Sequence, residues 1–566
     1  MEFCACYVQL ILREKGACLP DSIWNILSGN KDKNRAVSPG VIGYLLFIVV
    51  VGIILRIAQF AHEREFWEDE AILANEIIFH SPLGLTGTLN NWLHFPVGFL
   101  LIEKAFIAVL GTSEMAFRLF PLLCGILSLV LFVPLARAYA TNAETMAVGT
   151  QKEDSDRPDY WGIVLIAVIC FAANKHLIYY ASEVRQFGTE VLVVCIVYLL
   201  AGLSRIEFRS SRESFVRIIA STIFASISVW LSLTSIYVLA GVAAVQLWSY
   251  YRLDKKKELR WLIIGGFVWG SSFLIHYLLI KAHIGAQDIQ ENMRQFSINM
   301  SPPLPPTSFG ELQRLRENME HYFYAPGGMT FLGLAMFTFL IGVLSLWKKN
   351  KELLLMLVLP IAFACVASAL DQYPLRGRYI LFTVPALCLL LAEGVGLLLR
   401  QEKSVQRTAG IILAALLLFQ PVIHSAKVIK TVRTGPGGGS HTTKALEYLE
   451  GQWMKGDTLY VDASQISTFD YYKNRFDYLG DANVAYGTFR KPHAPHEPVV
   501  LPEPGRTATN EVVEKGRLWI LSLGFIDSDM LHSALENAGL DPTPLVTFRT
   551  VDANTLQQFT WKRSID

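Results

Sequence analysis

Residues 41–60 read VIGYLLFIVVVGIILRIAQF, a run of aliphatic and aromatic side chains with almost no polar interruption. A helix needs about 20 such residues to cross the roughly 30 Å of bilayer hydrocarbon, so this stretch reads as one crossing. Further apolar stretches of comparable length follow at 114–137, 160–175, 179–203, 214–232, 234–251, 260–281, 329–347, 352–370, 379–399 and 408–425. Together they predict a polytopic α-helical membrane protein with about eleven transmembrane helices.

Composition points the same way. The chain has 566 residues, of which 52% are hydrophobic and 17% charged, and its mean hydropathy is +0.36. A soluble domain carries roughly a quarter charged residues. The charge that remains sits in short clusters between the apolar runs, the pattern of repeated bilayer crossings. A net charge of +1 supplies no basic surface for nucleic acid, and that class is set aside. Eight cysteines are present: Cys4, Cys6 and Cys18 precede the first span, and Cys124, Cys170, Cys195, Cys365 and Cys388 lie inside apolar runs. These positions build neither a disulfide framework nor a zinc site. The first forty residues do not have the form of a cleaved signal, because their apolar stretch is short and interrupted by Arg13, Glu14 and Lys15.

Phe95–Leu110 is only about four turns long and carries Glu103 and Lys104 at its centre, which a spanning helix bears at a cost of several kcal/mol. It reads as an amphipathic helix lying in the interface. With the N-terminus and its Lys31, Lys33 and Arg35 in the cytoplasm, eleven crossings place four basic groups inside. These are Arg205/Arg209/Arg212, Arg252/Lys255/Lys256/Lys257/Arg260, Lys348/Lys349/Lys351 and Arg400/Lys403/Arg407, as the positive-inside rule requires. A twelfth crossing would invert all of them. The expected organisation is a cytoplasmic segment 1–40, a membrane domain 41–425 with a long first outer loop 61–113, a Gly-rich linker 426–441 and an extracytoplasmic α/β domain 442–566. Loop 282–328 and the Asp371–Arg378 turn fall on the same outer side. In the C-terminal domain the pattern predicts helices near Thr443–Trp453, Gln465–Tyr472 and Asp527–Ala538, and strands at Thr458–Asp462, Leu518–Ser522 and toward the C-terminus.

Three clusters on that side carry potential chemistry. Arg64-Glu65-Phe66-Trp67-Glu68-Asp69-Glu70 packs four carboxylates into six positions beside a tryptophan. Such acids act as a base, ligate a metal or simply sit in headgroup water. Tyr179–Phe187 places Glu183 and Arg185 two residues apart where the fourth helix starts. On a helix they point to different sides, so each needs another partner. Asp371–Tyr379 holds Arg376 and Arg378 around a glycine; guanidinium forks suit phosphate oxygens, and glycine lets backbone approach. Acids in one outer loop and arginines in another make a transferase site facing a lipid phosphate, the acids activating a hydroxyl and the arginines stabilising the departing phosphate.

These passages resemble the membrane-embedded GT-C glycosyltransferases, in particular the protein-O-mannosyltransferase-like branch and the lipid A aminoarabinose transferases. Trp67-Glu68-Asp69-Glu70 is similar to the family's acidic motif in the first outer loop. His94-Phe95-Pro96 followed by Gly111-Thr112-Ser113-Glu114-Met115-Ala116-Phe117-Arg118 resembles a second passage, Tyr180–Phe187 a third and Arg376-Gly377-Arg378-Tyr379 a fourth, in the same order over roughly 41–400. Phe95, Val184 and Gln186 depart from the family's usual residues. The resemblance implies inverting transfer of a sugar from a polyprenyl-phosphate-linked donor to a protein, lipid or glycan acceptor on the outer face, as in a bacterial inner membrane. It implies Asp69 as base or acceptor-orienting acid, with Glu70 and Glu183 assisting or helping to hold a divalent metal; metal dependence varies among such proteins and stays open. It implies Arg185, Arg376 and Arg378 as the grip on donor phosphate, with His94 and Tyr379 lining the site and Arg118 bracing the loop.

Two other classes compete: a secondary transporter, which would place its charges near the bilayer midplane and show repeated halves, and a non-catalytic scaffold of the same fold. The C-terminal domain carries no familiar motif; acceptor recognition and partner docking are equal readings. The topology predicts that a cysteine tag placed after Asp566 is labelled from outside the cell by a membrane-impermeant reagent, and labelling from the cytoplasmic side alone would overturn it.

Overall fold

A computed structural model describes residues 39–87, 95–145, 160–203, 211–282, 306–370, 372–401, 403–427, 442–480, 482–487, 517–523, 544, 546–549 and 554–559. The segment 1–38, His94, Asp371, most of the linker and the expected helix Asp527–Ala538 lie outside these residues.

All eleven apolar stretches form helices. They are α1 (Pro39–Phe60), α4 (Glu114–Thr145), α5 (Trp161–Ala172), α7 (Phe187–Leu203), α8 (Ser211–Leu231), α9 (Ser235–Arg252), α10 (Lys256–Ala282), α12 (Leu332–Lys349), α13 (Lys351–Ala369), α14 (Val384–Leu399) and α15 (Ser404–Ala426). Among the described residues seven helices, α1, α4, α10, α12, α13, α14 with the turn before it and α15, are long and apolar enough to cross a membrane. Helices α5, α7 and α8 are shorter apolar helices. Exposed Phe47, Ile54, Phe267, Leu278, Phe337, Leu344, Ile411 and Phe419 give the outside of the bundle the apolar surface that lipid requires.

Helix α14 runs through the centre, buried along nearly its whole length. It meets α12 through two glycines. A Cβ at Gly342 would stand 2.0 Å from the Leu390 carbonyl oxygen, and one at Gly394 2.1 Å from that of Thr338, so the two backbones touch as small residues permit in membrane helices. At one end of the same pair the buried Glu393 carboxylate accepts from Ser345 Oγ at 2.7 Å, Lys349 Nζ at 2.9 Å and Arg400 Nη2 at 2.8 Å.

Four expectations change. The fourth stretch is not one helix from 179: α6 (Lys175–Tyr180) ends, residues 181–186 form a turn, and α7 begins at Phe187. Hydrophobic side chains on both sides of the turn conceal it in the sequence. The tenth begins as a 3-10 helix over Gly377–Thr383. Loop 282–328 contains α11 (Phe309–Tyr324), opened by a capping box of Ser308 and Glu311. Finally, α3 (Val97–Leu110) is the expected short helix, but Glu103 is fully buried rather than turned to water, while Lys104 Nζ donates to the carbonyls of Ile77 and Ile78 at 2.7 and 3.0 Å. Lys104 thereby satisfies carbonyls at the C-terminal end of α2 (Glu68–Phe79), where a cation is favoured.

The C-terminal domain is the expected α/β unit. Helices α16 (Thr442–Gln452) and α17 (Ile466–Tyr472) accompany strands β1 (Thr458–Asp462), β2 (Asn483–Gly487), β3 (Leu518–Leu523), β4 (Val546–Arg549) and β5 (Asn554–Phe559). The sheet order is β2-β1-β3-β5-β4, with β1 parallel to β2 and β3, and β5 antiparallel to β3 and β4. Leu459, Val461, Trp519 and Leu521 alternate inward and are buried. Their core continues into Phe66, Ala71, Leu73 and Ala74 of the first loop, so domain and loop share one apolar cluster.

Gly342→Ala and Gly394→Ala each force α12 and α14 apart and should cost about 1–3 kcal/mol. Both should lower the melting temperature in detergent. Gly333→Ala on the same helix, where an added Cβ meets nothing within 4 Å, should leave it unchanged; parental melting of all three would contradict the close packing.

Candidate active site

The acidic cluster lies on the first turn of α2, where Glu68, Asp69 and Glu70 face the positive end of the helix dipole. Successive positions on that turn point in different directions, so Asp69 and Glu70 acquire different surroundings. Glu70 turns inward and has no exposed surface. Its carboxylate accepts from Arg64 Nη1 and Nη2 at 3.0 and 3.3 Å, from Arg118 Nε and Nη2 at 3.0 and 2.8 Å, and from the Val184 N–H at 3.0 Å. Burial alone would push this acid up, but Arg118 and Arg64 outweigh it and hold the carboxyl below its ordinary range.

The same two arginines bind backbone. Arg64 Nη2 donates to the Ser182 carbonyl at 2.8 Å, and Arg118 donates to the carbonyls of Arg64 and Glu65 at 2.5 and 3.3 Å. Glu70 therefore joins the first loop, the start of α4 and the turn 181–186. The turn sits directly on α4, because a Cβ at Gly125 would meet that of Ala181 at 2.5 Å.

Asp69 points the other way, half-buried. Arg185 Nη2 lies 2.5 Å and Arg378 Nη2 2.6 Å from its Oδ2. Burial raises this carboxyl, and the two guanidiniums together more than reverse the effect, so Asp69 is held below the ordinary carboxylate range. Arg378 Nη1 and Arg185 Nε are buried without hydrogen-bond partners. Aromatic faces hold both side chains: Arg378 stands 5.3 Å from the centroid of Trp67 and 5.4 Å from that of Tyr379, and Arg185 stands 5.1 Å from that of Phe95.

Glu183 completes the group. It is fully buried, accepts the Trp67 indole N–H at 3.1 Å through Oε1, and leaves Oε2 unpartnered. Burial, reinforced by the nearby Glu70 charge, pushes it up to about 7. Glu183 and Arg185 thus do find separate partners, but from a turn in which the Arg185 N–H donates to the Glu183 carbonyl at 2.7 Å, rather than from a helix.

The two arginines of the third cluster separate. Gly377 adopts a φ of +58°, a conformation that favours glycine. Arg378 turns in to Asp69, with its Nη2 3.5 Å from the Tyr379 hydroxyl. Arg376 is exposed beside His321 and does not reach Asp69. His94 lies outside the described residues. Arg64 and Tyr472 are site-building residues that the sequence reading did not single out, and Trp67, quoted there beside the acids, was given no role as the partner of Glu183. A basic residue heading an acidic run was a usable signal for Arg64, whereas nothing local marks Tyr472. Asp69, Glu70 and Glu183 are committed to arginines and an indole. Among the described residues no group of three or more His, Cys, Asp or Glu side chains converges as a metal site.

No family model matches the sequence, and no curated protein does. Solved structures do. The apo crystal structure of ArnT from Cupriavidus metallidurans aligns over 92% of this chain and 98% of its own, with a TM-score of 0.53 at 12% identity. The same protein bound to undecaprenyl phosphate gives 0.49 at 12% over 91% and 98%. Oligosaccharyltransferase AglB from Archaeoglobus fulgidus, in complex with an inhibitory peptide and a dolichol-phosphate, gives 0.47 at 10% over 77% of this chain and 63% of its own. The first alignment shows that this chain shares the fold of that ArnT structure; the other two superpose too loosely to add to it.

Replacing Glu70 leaves two buried guanidiniums uncompensated, which typically costs about 3–5 kcal/mol. Glu70→Gln should lower the melting temperature. Because the folded carboxyl lies below its ordinary value, its contribution is present above that range and is lost as pH falls through the lowered pKa. The variant should therefore lose part of the parent's acid-induced decline, and an unchanged Tm at neutral pH would refute the brace.

Proposed function

We propose that this chain is a membrane glycosyltransferase that moves a sugar from a polyprenyl-phosphate-linked donor to an acceptor hydroxyl on the extracytoplasmic face, with inversion at the anomeric carbon. The observation that carries the reading is Asp69 held between Arg185 and Arg378, whose buried Nε and Nη1 groups remain free to donate. Two guanidiniums beside one carboxylate leave a positive excess matched to a phosphate.

In this reading the acceptor oxygen forms its bond to the anomeric carbon from the face opposite the phosphate. The bond to the phosphate oxygen breaks, its electron pair leaves on the polyprenyl phosphate, and the hydroxyl proton passes to Asp69. Arg185 and Arg378 are suited to the charge that grows on the leaving group, because they are already placed and partly desolvated. A phosphate that shares these arginines also weakens the pull that keeps Asp69 acidic, so donor binding makes Asp69 a better base. Glu183, ionised, stabilises positive charge that develops at the anomeric carbon. Glu70 holds the frame, and Arg376 sits at the rim. The likeness in fold to ArnT and the bound undecaprenyl phosphate of that protein support a lipid-linked donor. Asp69, Glu183, Arg185 and Arg378 converge on one site, which suits transfer better than transport.

Asp69→Asn, in membranes supplied with synthetic polyprenyl-phospho-sugars, should lower turnover by about 10²–10⁴-fold, the usual contribution of a positioned base. Parental turnover would refute the assignment. The ionised form of Glu183 grows as pH rises through about 7, so turnover should climb across neutrality. Glu183→Gln should lower it and remove that limb of the pH–rate profile; a limb that survives unchanged would exclude Glu183.

A further inference from the structure

The C-terminal domain touches the first loop immediately ahead of the catalytic turn. Tyr472, fully buried on α17, accepts the Phe66 N–H on its hydroxyl at 2.8 Å. Phe66 stands three residues before Asp69, packs 4.7 Å from the Tyr471 ring, and lies under Arg118 at 4.8 Å. Glu65 accepts the Thr443 N–H at 3.2 Å and the Thr443 hydroxyl as well. Asn75 Nδ2, further along α2, donates to the Ser467 carbonyl at 2.8 Å.

Two contacts extend the seat to α4. Tyr471 donates to the Thr112 carbonyl at 2.6 Å, and Arg475 Nη2 reaches Glu114 Oε1 at 2.8 Å. Glu114 opens the helix on which Arg118, one turn later, binds Glu70.

Helix α2 has no side-chain cap of its own, since Trp67 stands at its N-cap without such a bond. Its approach is instead fixed from outside, by residues some four hundred positions away in sequence. Removal of those contacts loosens the 65–69 segment, which Arg118 still holds at the Arg64 and Glu65 carbonyls, while leaving Arg185 and Arg378, which belong to other elements, in place. The geometry points to Tyr472 and Thr443 as positioning residues for Asp69, and to the C-terminal domain as a working part of the transfer site. The inference rests on the reading of Asp69 given above.

The test uses the full-length protein in lipid nanodiscs and compares the parent with Tyr472→Phe, Thr443→Val and, as a surface control, Lys455→Ala. Hydrogen exchange is read without substrate in peptides covering 64–79 and 458–462. Turnover is read with a synthetic polyprenyl-phospho-sugar. Tyr472→Phe keeps the ring and removes only the acceptor of the Phe66 N–H, so 64–79 should exchange at least about fivefold faster, as expected for one lost hydrogen bond. Strand 458–462 should stay protected, and kcat should fall by a similar factor with KM little changed. Thr443→Val should do the same and Lys455→Ala nothing. Parental exchange at 64–79 in both docking variants, with Asp69→Asn still inactive, overturns the positioning role alone. Faster exchange with parental turnover in Tyr472→Phe, Thr443→Val and Asp69→Asn overturns the reading of Asp69 and with it this inference.

Discussion

One buried carboxylate holds the site together. Glu70, enclosed by Arg64, Arg118 and the Val184 N–H, is the point where the first loop, the start of α4 and the turn before α7 meet. Charged groups without solvent are costly unless each finds its partner, and here the Arg118 and Val184 contacts of the carboxylate cross to other segments while Arg64 closes the first loop on itself. The arginines carry the constraint further through backbone carbonyls, so that Arg64, Glu65 and Ser182 are all bound from the same centre. Once Glu70 is placed, the next residue toward the N-terminus can only face away from it, toward Arg185 and Arg378. The electrostatic division of the acids follows: one neutralised within the frame, one held acidic between two guanidiniums, and one, Glu183, left near neutrality by burial.

The membrane region was legible because its physics is one-dimensional. A run of about 20 apolar residues must be a helix when no water is available to its backbone, and each of the eleven runs is helical over most of its length, the fourth broken by the turn at 181–186. The C-terminal strand Thr458–Asp462 was legible for a similar reason, its alternation marking one buried face. The turn at 181–186 was not, because hydrophobic residues flank it on both sides and the close packing of Ala181 on Gly125 joins segments far apart in the chain. Strand β2 escaped because Asn483–Gly487 is a partly exposed edge with little apolar signal. Helix α11 escaped although Ser308 and Glu311 spell a capping box, since attention to apolar length passes over a polar helix.

Site residues divided along the same line. Asp69, Glu70, Glu183, Arg185 and Arg378 stood out as charges where a membrane protein has few, and the structure brings all five together. Arg376 stood out equally and remains at the rim, because the left-handed Gly377 turns it away. Partners were invisible throughout: Trp67 for Glu183, Arg64 for Glu70, Tyr472 for Phe66. Each is a contact between segments that the sequence separates by about a hundred residues or more, or reverses by a local turn, and no spacing rule encodes it.

Where the donor phosphate binds decides the function of the site, and the most direct measurement is an electron cryo-microscopy map of the protein in nanodiscs loaded with a polyprenyl phosphate. Phosphate density is expected within hydrogen-bond reach of Arg185 and Arg378, on the same side of the bundle as Asp69. Density absent from that pair and seated elsewhere, for example against Lys349 and Arg400 at the opposite end of α14, would contradict it.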